Sequence, residues 1–237
     1  MVMFDVVIPV GPHNVERLHT QLQHVKKNVI GHRNIYLVTR QQLPKHDAIN
    51  SCTTVHENCF PFTLDTVTEH HGSNHRNGWY LQQLIKLYAG EVIPGISENY
   101  LVIDADTYFL KPTEFVEGGK CLYRVMEEYY PPYFKHIHRL GIGLKKIHDK
   151  SGVAHHMMFQ TKHVSEMFQM VEDVFNEPFY TTFLKQVDPN FYLKSGASEY
   201  ELYFSYMLTY HPEEVVTRTL IEGEDVWSAH VHTGSGA

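Results

Sequence analysis

The segment NYLVIDADTYFLKP, Asn99 to Pro112, decides how the rest of the chain is read. Leu101, Val102 and Ile103 are consecutive apolar residues, the pattern of a strand buried on both faces rather than one. The run ends in Asp104 and Asp106, one residue apart. A buried strand that ends in two acids delivers negative charge to the edge of a sheet. Like charges at that spacing need a counter-charge, which a metal ion, a basic side chain or water can supply.

Upstream of this segment, Phe4 to Val10 reads as a first strand, followed by the turn GPHN and an amphipathic helix near Val15 to Val29. Gly31 stands where a glycine stop is expected. Asn34 to Thr39 (NIYLVT) reads as a second strand and Ser51 to His56 as a short third. Gly78 to Ala89 (GWYLQQLIKLYA) reads as a helix apolar on one side, with Gly90 as its stop, and Tyr100 to Asp104 as the next strand. Strands and helices that alternate imply a parallel sheet covered by helices. Open parallel sheets bind ligands outside the carboxyl ends of their strands, where Asp104 and Asp106 fall.

Downstream the pattern is less regular. Lys120 to Val125 and Val153 to Phe159 read as strands, and Glu127 to Lys146, rich in tyrosine and proline, as a loop-rich segment. Val164, Met167, Phe168, Val171 and Phe175 form a helical stripe over Thr161 to Phe175. Ser198 to Tyr210 reads as another helix, and Val215 to Leu220 and Val226 to Val231 as closing strands. No repeat, low-complexity tract or linker interrupts residues 1–237, so a single domain is expected.

The bulk numbers bound the function. A net charge of −7 argues against a phosphate-driven nucleic-acid binder. With 43% hydrophobic and 20% charged residues the chain is globular in composition. Three cysteines in 237 residues make no disulfide framework, and the odd count fits a reducing compartment. Cys52, His56 and Cys59 have a loosely metal-like spacing but lack a fourth ligand at a familiar distance in sequence. No apolar run approaches the roughly 18 residues of a membrane span. The opening MVMFDVVIPV carries Asp5 and no basic leader, so it reads as a strand and not a signal peptide. The closing HTGSGA reads as a small polar tail. A cytoplasmic enzyme of bacterial or viral type fits this profile.

Three readings of Asp104-Ala105-Asp106 compete. Aspartates after a strand commonly cap a turn. A phosphohydrolase with a D-x-D-x-T nucleophile loop needs threonine two residues after the second aspartate, whereas Thr107 follows at once. The third reading is a divalent-cation site: Mg²⁺ and Mn²⁺ take oxygen ligands, commonly a few carboxylates plus substrate phosphates.

The hydrophobic strand, the D-x-D, the aromatic residues and Lys111-Pro112 after it, the opening VVIPV (Val6 to Val10) and the LVT of Leu37 to Thr39 together resemble the GT-A glycosyltransferases. The likeness includes the tryptophan-bearing helix GWYLQQLIKL before the D-x-D, and it covers about the first 115 residues well and the remainder loosely. It implies a GT-A, Rossmann-like α/β fold: a mostly parallel sheet with helices on both faces and a mixed acceptor-side half. Residues 1–115 would form the nucleotide-sugar half and 116–237 the acceptor half. The implied activity moves a sugar from a nucleoside diphosphate, UDP by preference, to a hydroxyl acceptor such as a glycan, with Mn²⁺ or Mg²⁺. A sugar-nucleotide binding module without turnover is the alternative.

The resemblance also implies roles. Pro9, Val10 and Gly11 would meet the base and ribose, with Thr39 and Arg40 beside them. Asp104, Ala105 and Asp106 would form the nucleotide-sugar turn, and Asp104 and Asp106 would hold the metal. His230 or His232 would complete its shell. On the helix, Trp79, Gln82, Gln83 and Lys86 share a face. Lys86 and Gln83 would reach phosphate or sugar; the plain alternative leaves Gln82, Gln83 and Lys86 in solvent. An inverting enzyme needs a general base. Ser198-x-x-Glu201 matches a capping box, which gives Glu201 a structural task and leaves Glu199 as the candidate catalytic residue. Either His155 or His156 would face the acceptor side, with His156 counted among the sugar-binding residues. The tyrosine-rich run Glu127 to His138 would wall the acceptor site or close over it.

Overall fold

The computed structural model describes residues 3–229. In chain order these form β1 (Phe4–Pro9), α1 (Val15–Asn28), β2 (His32–Thr39), β3 (Thr53–His56), α2 (Leu64–His71) and α3 (Asn77–Val92). Then come β4 (Asn99–Ile103), β5 (Thr107–Phe109), β6 (Lys120–Arg124), α4 (Pro131–Arg139), β7 (His156–Gln160) and α5 (Thr161–Phe175). The chain continues through α6 (Phe179–Lys185), α7 (Glu199–Tyr210), β8 (Val216–Arg218) and β9 (Val226–Ser228).

Five strands form the central sheet in the order β7-β4-β1-β2-β3. The four strands from the first half run parallel, and β7 pairs antiparallel with β4. All residues of β1 and the last four of β4 are buried, as continuous apolar strands require. From β1 the chain winds outward to β2 and β3, then crosses back through α3 to place β4 on the other side of β1. The order therefore reverses between β1 and β4. The crevice at the carboxyl ends of those two strands is the topological switch point at which such sheets bind ligands. The expected boundary near residue 115 falls inside this sheet, with four of its strands before it and β7 after it.

Four sequence expectations are corrected. Gly90 does not stop α3, which continues to Val92. Glycine is needed there for space: a Cβ would meet Thr161 Oγ1 at 2.4 Å and the Tyr100 ring at 2.7 Å. Gly31 likewise follows a short extended pair, Val29–Ile30, rather than capping α1, and its φ of 88° turns the chain into β2. The tyrosine-rich segment contains α4, started by Pro131 and Pro132 in its first turn and held by buried Tyr133, His136 and Ile137. Finally, α2 and α6 were not anticipated; both are short, and α2 is announced only by its cap at Thr63.

One buried charge sits inside β1. Asp5 accepts hydrogen bonds from Arg33 (2.6 and 3.0 Å), the Asn34 amide (2.9 Å) and the Ser97 amide (2.7 Å). Burial alone would raise this carboxyl, but the four donors outweigh it and hold it below its usual range. Asp5 thereby ties the start of the sheet to the loop before β4.

Gly90→Ala is expected to destabilise the protein by about 1–3 kcal/mol through overpacking against Tyr100 and Thr161, measured by urea denaturation. An open helical position would instead gain up to about 1 kcal/mol from the same change, so the sign tests the close approach.

Candidate active site

At the carboxyl end of β4 the chain turns through Asp104-Ala105-Asp106 into β5. Gln21 of α1, fully buried, fixes this turn by donating to the Asp104 carbonyl at 2.7 Å and the Thr107 carbonyl at 3.1 Å. The Asp104 carboxylate then collects three partners from three distant parts of the chain. Lys86 Nζ of α3 lies 2.5 Å from Oδ1, the Tyr200 hydroxyl of α7 donates to the same oxygen at 2.7 Å, and His155 Nδ1 lies 3.3 Å from Oδ2.

Lys86 makes a second contact, 2.6 Å to Glu199 Oε1. It also stands 4.4 Å from the centre of the Tyr200 ring, a cation–π distance. Lys86, Glu199 and Tyr200 are all buried. Burial alone would lower the Lys86 ammonium, but the two carboxylates outweigh it and hold it charged. Burial likewise opposes ionisation of Asp104, yet Lys86 and His155 hold it well below the usual carboxylate range. Glu199 differs: burial pushes it up, Asp104 adds to that, and Lys86 only partly offsets them. Two acids that share one cation thus have their proton affinities driven apart, the usual arrangement of acid–base sites.

His155 approaches with a φ of 60°, in the left-handed region that non-glycine residues adopt uncommonly. Its carbonyl accepts the Asp104 amide at 2.9 Å while its ring faces the Asp104 carboxylate. Both groups of Asp104 are therefore met by one residue. Burial would lower the imidazole, but the Asp104 hydrogen bond outweighs it, so His155 is raised.

These groups open onto a cavity of about 610 Å³. Trp79, Tyr130, Tyr133 and Tyr200 line it, together with Arg76 and Glu128. Arg76 stacks over Trp79 at 4.5 Å and donates to the Lys194 carbonyl and the Ser195 hydroxyl, so the loop before α7 is fastened to the start of α3. A second groove of about 700 Å³ lies between the first turns of α1 and the loop after β2, bordered by Val15, Glu16, His19 and Leu43.

The sequence candidates separate into groups. Asp104, Lys86 and Glu199 meet at one point. Gln83 is buried beside them and accepts the Glu199 amide at 3.1 Å, so it positions Glu199. Exposure of Gln83 and Lys86 is ruled out, since both are buried; Trp79, half-buried, packs against the core and also lines the cavity. Ala105 and Asp106 are buried in the turn. Pro9 ends β1 and Val10 and Gly11 follow it at the switch point, where a Cβ on Gly11 would come within 3.1 Å of the Gln82 side-chain amide. Thr39 is buried at the end of β2 and Arg40 beside it is exposed. His156 packs edge-on against Phe109 and Phe115, and burial drives its imidazole well below the usual value. His155 is the one that reaches the cavity. His230 and His232 lie outside the described residues. Glu201 does not close a capping box: Ser198 accepts its amide, but its carboxylate turns to Ser151 and Gly152.

Sequence reasoning missed Tyr200, Glu128, Arg76 and Gln21. The first adjoins Glu199, but nothing in the sequence says its hydroxyl would reach a residue 96 positions earlier.

The fold and site define an α/β protein whose switch-point cleft is lined by carboxylates and their basic partners. The chain belongs to a family of unknown function, DUF6492, whose model matches residues 12–231. No curated protein matches it. Among solved structures it is similar to mouse xyloside xylosyltransferase 1 in its apo form, at 10% identity and a TM-score of 0.45, covering 92% of this chain and 85% of that one.

Lys86→Met is expected to cost about 3–5 kcal/mol, because it leaves buried Glu199 and half-buried Asp104 together without a cation. In the variant the paired carboxylates gain protons more readily folded than unfolded. Their protonated form stabilises the fold at low pH, and that stability is lost as pH rises. The gap between variant and parent should therefore widen from about pH 4 to about pH 7 in urea melts.

Proposed function

We propose that this chain is a metal-dependent glycosyltransferase that moves a sugar from a nucleoside diphosphate, UDP by preference, to a hydroxyl acceptor. The observation that carries the reading is the convergence of Asp104, Lys86 and Glu199 at the switch point, on the wall of an aromatic cavity.

The donor set fits a hard cation. A carboxylate offers about four lone-pair positions. Asp104 uses three of them on Lys86, Tyr200 and His155, and Asp106 supplies further oxygens on the same turn. Oxygen donors of this kind suit Mn²⁺ or Mg²⁺ shared with a diphosphate. Asp104 and Asp106 would hold the ion, with His230 or His232 as a further ligand; when bound, it would neutralise charge developing on the leaving diphosphate. The nucleoside would lie along the carboxyl ends of β1 and β2, against Pro9 to Gly11, Thr39 and Arg40.

The chain's own residues supply the rest. Lys86 keeps Asp104 ionised and adds a fixed positive charge beside the transferring group. Glu199, pushed up by burial, takes the proton of the acceptor hydroxyl. Trp79, Tyr130 and Tyr133 offer flat apolar faces to sugar rings and keep water from the donor. Glu128, also on the cavity wall and raised by burial, is a third carboxylate within the same space, after Asp104 and Glu199.

The test combines a nucleotide-sugar screen, with and without Mn²⁺, and a transfer assay. Saturating donor at a hundred times its dissociation constant should stabilise the protein by about 2.7 kcal/mol, and only with the metal. Asp106→Asn should abolish that metal dependence. Glu199→Gln should retain donor binding while slowing transfer by about 10²–10⁴-fold. Binding with no transfer to any acceptor would instead make the chain a binding module. An aspartyl-phosphate trapped on Asp104 would make it a phosphohydrolase.

A further inference from the structure

Away from the cleft, the start of α5 meets the end of α7 in a cluster that the reaction above does not use. His163 and Glu166 lie three residues apart on one face of α5. His211 caps the C-terminus of α7, and Glu214 follows one short turn later. Glu166 Oε2 lies 3.4 Å from His163 Nδ1 and 3.0 Å from His211 Nε2. The two imidazole rings stand 3.9 Å apart, centre to centre. Among the described residues, this is one of two sets of three potential metal donors that converge; the other shares His211. Cys52, His56 and Cys59 do not converge in this way.

We propose that His163 Nδ1, the Glu166 carboxylate and His211 Nε2 form a zinc site that clamps the start of α5 to the end of α7. The spacing suits the ion. Tetrahedral zinc with ligands at about 2.05 Å separates neighbouring donor atoms by about 3.3 Å, close to the distances seen here. Two imidazoles and one carboxylate favour Zn²⁺ over Mg²⁺ or Mn²⁺. The outer layer is also in place. His163 Nε2 lies 3.0 Å from Glu214 Oε2, placed to donate there and leave Nδ1 for the ion. Gln160 steadies the same Glu214 oxygen at 3.5 Å. His163 is buried, so its ring is held by packing. The half-exposed Glu166 leaves the fourth position to water, with the Tyr206 hydroxyl 3.5 Å from His211 Nε2 beside it. Since α7 carries Glu199 and Tyr200 at its opposite end, the clamp would set that helix's position along its axis. The inference stands apart from the glycosyltransferase reading.

The experiment titrates Zn²⁺ into the chelator-stripped full chain by calorimetry, in excess Mg²⁺ to occupy oxygen-donor sites, and repeats the titration with Co²⁺ for its absorption spectrum. The parent protein and Asp104→Asn/Asp106→Asn should each bind one zinc, show an intense tetrahedral cobalt spectrum and melt at higher temperature with zinc. Glu166→Gln/His211→Gln should fold without metal, lose the zinc and the cobalt spectrum, and show no zinc-dependent change in melting. Glu214→Gln should weaken zinc by about 10–100-fold. A parent chain that binds no zinc, or a Glu166→Gln/His211→Gln variant that binds it as tightly as the parent, overturns the proposal.

Discussion

One lysine holds the site together. Lys86 reaches Asp104 and Glu199 from α3, and the three residues are separated by 18 and 113 positions in the chain. Without that ammonium, buried Glu199 and half-buried Asp104 would face each other in a poorly solvated crevice, a cost of several kcal/mol. With it, Asp104 stays ionised at neutral pH while Glu199 keeps a raised proton affinity. The cation therefore does more than neutralise: beside it the proton affinities of the two acids are driven apart. Tyr200 and His155 complete the shell of Asp104, and Gln83 fixes the backbone from which Glu199 projects.

Much of the framework was legible in the sequence because it follows from periodicity. Unbroken apolar runs marked β1 and β4, the helical stripe marked α5 from Thr161 to Phe175, and Ser198 marked the start of α7. Where the reading failed, longer-range packing had overridden a local signal. Gly90 looks like a stop by residue type, yet its small size serves the approach of Tyr100 and Thr161. Pro131 and Pro132 look like loop residues, yet at a first turn they begin a helix.

The site was legible in part, for a related reason. Asp104 and Asp106 declare themselves through the strand before them, and Lys86 through its place on a helical face. The contacts among Asp104, Lys86, His155 and Glu199 depend on how the strands cross, which no local pattern encodes. The choice between His155 and His156 illustrates the limit. Alternation along a strand separates their faces, but only the left-handed turn at His155 decides which ring meets the acids.

The position of β7 has a consequence for how this chain can be divided. That strand arrives from residues 156–160 and seals the free side of β4 by antiparallel pairing. A fragment ending near residue 115 would expose a mostly apolar strand edge with unpaired backbone donors and acceptors. Such a bare edge invites pairing with another copy, so dissecting the chain there would yield aggregates in place of a working half.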